Sequence, residues 1–111
     1  MAGPSDTQAQ NALDVERLSK LLFGSSLRLP VAGTIAGSDL GVLNVGELVE
    51  ALNLPAERYT AVRSELEHFA DAGLLMRLPR PKGQRIQEYE RLESAYWSMA
   101  SQVLDEVRSR R

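Results

Sequence analysis

The residues best suited to chemistry in this sequence are cations, and they are unevenly placed. Residues 58–111 hold 10 of the 13 lysines and arginines beside 8 of the 15 acids, whereas residues 1–57 hold 3 beside 7. The second half is therefore positive on a chain whose formal net charge is −2. A local excess of fixed cations attracts a polyphosphate surface, because each neutralised phosphate releases condensed counterions. The overall acidity argues mildly the other way. The stretch Pro79-Arg80-Pro81-Lys82-Gly83-Gln84 mixes cations with turn-forming residues and reads as an exposed turn. Solubility alone is the competing reason for charge at such a tip.

Other chemistries find little support. His68 is the sole histidine; it follows Glu67 without the second histidine of a metal-binding helix pattern. No serine elbow or phosphate-cradling glycine loop is present, and the carboxylates form no recognisable catalytic pair. The absence of cysteine excludes disulfides, thiolate metal sites and a cysteine nucleophile. The expectation is a protein that is not an enzyme, with no cofactor and no metal site, in a reducing cytoplasm. No apolar run reaches the ~18 residues of a membrane span, and the opening Met1-Ala2-Gly3-Pro4-Ser5-Asp6 lacks the basic start and apolar core of a secretion signal.

These cations need a scaffold, and the apolar periodicity supplies one. Leu13, Val15, Leu18, Leu21 and Leu22 predict an amphipathic first helix from about Gln8 to Phe23. Leu27, Val31 and Ile35 mark a shorter second helix with Pro30 in its first turn and Gly33 weakening it. After a loop over 36–41, Asn44 caps a third helix carrying Glu47, Leu48, Val49 and Leu52. Asn53-Leu54-Pro55 breaks the chain, and Pro55 suits the first position of a fourth helix whose core stripe is Tyr59, Val62, Leu66 and Phe69. Gly73 ends it; Leu74–Leu78 and Arg85–Leu92 read as an exposed two-stranded hairpin. From Ser94, a last helix places Trp97, Ala100, Leu104 and Val107 at heptad spacing, flanked by Tyr96 and Val103.

The fold class expected is mainly α with a small β-hairpin (α+β), divided into a disordered leader over 1–7, a domain over 8–93 and a C-terminal helix over 94–111. Leu22-Phe23-Gly24, Arg28-Leu29, Gly46-Glu47-Leu48-Val49, Ala51-Leu52-Asn53-Leu54-Pro55 and Asp71-Ala72-Gly73-Leu74-Leu75 resemble the winged helix-turn-helix repressors of the ArsR-like and MarR-like families, over roughly residues 15–92. The resemblance implies a homodimeric, sequence-specific regulator of transcription, a repressor acting on double-stranded DNA. Its fourth helix would enter the major groove and its hairpin, the wing, would rest on the adjacent backbone or minor groove. Carried over by position, the groove contacts are Arg58, Thr60 and Arg63, and the wing contacts are Arg77, Arg80, Lys82 and Arg85. Dimerisation through the terminal helices would use Leu18, Leu22, Tyr96, Trp97, Ala100, Leu104 and Val107, with the last helix favoured because its broad apolar face lacks obvious intrachain partners. Three acids stand against phosphate on or near the reading helix: Glu57, Glu65 and Glu67. The alternative reading is the same fold used as a protein–protein adaptor that does not touch DNA.

Overall fold

The computed structural model describes residues 4–109, with side chains from Ala12 onward. Its elements run α1 (Pro4–Phe23), α2 (Arg28–Ala36), β1 (Val42–Leu43), α3 (Val45–Ala51), a 3-10 turn (Ala56–Arg58), α4 (Tyr59–Asp71), β2 (Leu75–Arg77), β3 (Tyr89–Arg91) and α5 (Ala95–Ser109). The α+β class follows: helices dominate, joined by a three-stranded antiparallel sheet in the order β1-β3-β2. α1 starts at Pro4, so residues 4–7 are helix where a leader was expected; residues 1–3 lie outside the described residues.

α2 is apolar on most sides and is accordingly surrounded: Leu29, Val31, Ala32 and Ile35 are wholly buried. Its closest neighbour is α5. A Cβ placed on Gly33 would lie 1.8 Å from Leu104 Cδ1, so Gly33 does more than weaken a helix. It lets Leu104 sit against the α2 backbone. Trp97, Ala100, Leu104 and Val107 are all buried in the same core as α2, which corrects their assignment to a seam between subunits. The heptad spacing marks a packed stripe, and α2 is the intrachain partner that the sequence reading could not identify. Tyr96 is half-buried in an aromatic cluster with Phe69 and Trp97, its ring centroid 5.7 and 5.4 Å from theirs. The described part of residues 94–111 thus packs into the same core as α2 and does not stand apart from residues 8–93. Leu18 packs partly against this core as well.

Two helix ends are built alike. After α3, Asn53 takes a positive φ, with Asn53 N bonded to Glu50 O and Leu54 N to Val49 O. After α4, Gly73 does the same, with bonds to Ala70 O and from Leu74 N to Phe69 O. This paired return satisfies carbonyls that a helix end otherwise leaves open. Asn44 caps α3 as its position predicted, accepting from Glu47 N at 2.9 Å.

The sheet is pinned through β3. Val42 and Leu43 pair with Glu90 and Tyr89, and Leu75, Met76 and Arg77 with Arg91, Glu90 and Tyr89. β1 was not foreseen, since two residues carry no alternation to detect. Arg91, outwardly one more charge in a polar strand, donates from one guanidinium nitrogen to Ile35 O, Ala36 O and Ser38 O at 2.8–3.2 Å. A cation there meets the negative end of α2 and satisfies its last carbonyls.

Candidate nucleic-acid interface

The start of α4 differs from expectation in a way that reassigns a residue. Pro55 is extended and precedes the 3-10 turn, closed by Arg58 N bonded to Pro55 O, so the helix proper begins at Tyr59. Arg58 therefore sits in the turn. Its guanidinium reaches Glu16 of α1 at 3.5 Å, with both side chains about two-thirds covered. Arg58 is engaged within the fold, whereas Thr60 and Arg63 lie exposed on α4. Tyr59, expected in the core stripe, is 47% exposed at the first position of α4, while Val62, Leu66 and Phe69 are buried.

α4 carries two glutamates two residues apart, nearly opposite each other around its axis. Glu65 is buried, accepting from Ser25 Oγ and from Arg28 Nε at 2.9 Å. Arg28 also contacts His68 Nδ1 at 3.2 Å and donates to Phe23 O. A buried carboxylate is tolerable only when paired and hydrogen-bonded, and this one ties the α1–α2 turn to α4. Glu65 is thereby removed from any surface a ligand could meet.

Glu67 faces outward, yet it too is bonded. Arg77 Nη2 lies 2.9 Å from Glu67 and 2.9 Å from Asp71, Arg77 Nε lies 3.2 Å from both Glu67 oxygens, and the Tyr89 hydroxyl donates to Glu67. The Arg77 hydrogen bonds first, then that of Tyr89, hold Glu67 below the usual carboxylate range. Burial, reinforced by the bond to Glu67, pushes the Tyr89 phenol up to about 12. Arg77, expected to touch phosphate, is instead held between two carboxylates.

A cleft of about 390 Å³ opens between α4 and the loop that joins β2 to β3, lined by Tyr59, Arg63, Glu67, Arg77, Arg80, Arg85 and Gln87 among others. Arg80 donates to Arg85 O at 3.3 Å. Among the described residues Arg63, Arg80, Lys82 and Arg85 make no ion pair with a carboxylate. Three sequence-predicted cations, Arg63, Arg80 and Arg85, thus line one concave face and a fourth, Lys82, is exposed in the same loop, while two others, Arg58 and Arg77, are occupied. Tyr59, expected in the core stripe, lines the same face, and Gln87 does so without any signal in the sequence that singles it out. Gln87 donates to Leu78 O at 2.7 Å and to Glu88 O at 2.9 Å, fastening the base of the loop.

On the α1 side, Leu22 is 60% exposed, together with Leu13 at 61% and Leu21 at 73%. No described helix is long and apolar enough to cross a membrane, and no described cluster of three His, Asp or Glu side chains could hold a metal. Comparison with known protein families, with curated proteins and with solved structures finds no match to this chain.

Proposed function

We propose that this protein is a cytoplasmic winged helix-turn-helix regulator, a repressor, that binds double-stranded DNA sequence-specifically as a homodimer. The observation that carries this reading is the cleft between α4 and the β2–β3 loop. Arg63, Arg80 and Arg85 line it without an ion pair to a carboxylate among the described residues, and Lys82 is exposed in the same loop, while two of the three acids that stood against the reading, Glu65 and Glu67, are bonded to Arg28 and Arg77. α4 serves as the reading helix, with Thr60 and Arg63 toward the base edges, and the loop is the wing, gripping phosphate. Arg58 and Arg77 leave the contact set. The dimer contact moves to α1, whose Leu13, Leu21 and Leu22 are exposed while the apolar stripe of α5 is covered.

Selection of bound fragments from random and genomic duplex pools over a salt series tests the proposal. The expected result is an enriched inverted repeat whose affinity falls steeply as salt rises. Retention of no fragment, or retention indifferent to salt, refutes it. Arg80→Glu with Lys82→Glu separates the adaptor alternative: DNA retention is lost if the wing grips phosphate, whereas an adaptor keeps its protein partner.

A further inference from the structure

Glu67 raises a physical question of its own. An acid one helical turn from Arg63, on the same face, weakens anion binding there, so its position calls for a compensating role. Its bonds supply one. Arg77 is the last residue of β2 and Tyr89 the first of β3, and the two are paired across the sheet. One carboxylate on α4 therefore holds both strands where the loop leaves and returns. Asp71, one turn further along α4, takes a second bond from Arg77. Beyond this junction the loop is fastened to itself, through Leu78 N to Glu88 O and the Gln87 amide. Tyr89 is otherwise buried, so its hydroxyl would lose this acceptor if Glu67 were truncated.

Resting on the DNA-binding reading above, we infer that Glu67 is a positioning residue: through Arg77 and Tyr89 it sets the angle at which the cationic loop meets α4, and hence the spacing between Arg63 and the loop cations. A loop held in advance avoids an ordering cost on binding. The two accounts of Glu67 predict opposite signs. If it acted only as a nearby negative charge, removing it would tighten DNA binding. As a positioning residue, its removal weakens binding although the site becomes more positive.

The chain has no cysteine, so single cysteines introduced at Ser64 and Lys82 accept spin labels without background, and the distance between them reads the loop angle with no DNA present. The expected distribution is narrow in the parent chain and broad in Glu67→Ala and in Tyr89→Phe, with Glu67→Gln intermediate because the amide oxygen still accepts one bond. Duplex affinity of unlabelled Glu67→Ala should fall roughly tenfold, the cost of ordering the loop during binding, with an unchanged salt slope, since no phosphate contact is removed. Tyr89→Phe, which keeps the charge and most of the packing, covers the case in which Glu67→Ala fails to fold. Unchanged distance distributions, or tighter binding by Glu67→Ala, overturn the inference. Failure of the parent chain to bind any duplex overturns the DNA reading instead, and the label distances still decide whether Glu67 holds the loop.

Discussion

Arginines at the junctions between elements and arginines around the cleft between α4 and the β2–β3 loop occupy contrasting surroundings. Arg28 is bonded to Glu65, and Arg91 donates to three carbonyls at the end of α2. Arg63 and Arg85 have no ion pair among the described residues, and Arg80 meets only the Arg85 carbonyl. The residue type is the same, but what lies opposite differs. A guanidinium facing an acceptor at a half-buried junction acts as an anchor, and one facing open cleft remains available to an external anion. Removing the first kind should cost stability, and removing the second kind should cost binding.

The largest expected effect tests the second half of that contrast. Changing Arg63, Arg80 and Arg85 together to Ala should weaken duplex binding by on the order of 3 kcal/mol and flatten the salt slope by about two units, one for each loop arginine. Denaturant unfolding should shift by no more than about 0.5 kcal/mol. A comparable loss of stability would show that the cleft cations are anchors too. Arg91→Ala tests the first half. Losing charge-assisted bonds to three carbonyls should lower the unfolding free energy by about 2 kcal/mol, with the salt slope of binding untouched.

Gly33→Ala has a smaller expected effect and concerns the body alone. The new methyl must displace Leu104, an overpacking cost of about 1 to 3 kcal/mol, partly offset by the ~0.5 to 1 kcal/mol that Ala gains over Gly in a helix. Unfolding should thus shift by about 1 kcal/mol, and in a Leu104→Ala background the added cost of Gly33→Ala should shrink. The smallest effect is seen at the junction of the two regions, by ultraviolet titration of the Tyr89 phenol. Burial and the bond to Glu67 push this phenol up to about 12, against 10.0 for an unperturbed one, so its midpoint should lie there, and Glu67→Gln should bring it down. Because the folded value is raised, the stability that Tyr89 contributes is fully present below 10 and is lost as pH climbs toward 12. Glu67 has the opposite sign: its value is lowered from 4.5, so its contribution is present above that value and fades as pH falls through the folded value.

Much of the helical order was legible because it depends on local signals. Asn44 three residues before Glu47, Gly73 after Phe69 and the Val62/Leu66/Phe69 stripe are patterns a short window reveals. What the sequence could not reveal were partners distant along the chain. The stripe Trp97/Ala100/Leu104/Val107 was visible, but that α2 covers it depends on a glycine some seventy residues before Leu104. Likewise, Glu65 and Glu67 looked alike as acids near a cationic surface, and only the fold brings Arg28 to one and Arg77 to the other. For the candidate site, the cations of the loop were legible from composition. The occupied state of Arg58 and Arg77 was not, because Glu16 lies forty-two residues from Arg58 and Asp71 is reached only through the turn at Gly73.

β3 is three residues long, yet its side chains reach two helices, Tyr89 toward α4 and Arg91 toward the end of α2. A single protease cut at the Lys82–Gly83 turn would put β3 and α5 on a short C-terminal piece whose every major contact lies on the other piece. Such exposed turns are favoured sites of cleavage. The two pieces, unequal in length, should travel together through a sizing column and part only in denaturant, held by the core rather than by the chain at the tip of its most cationic loop.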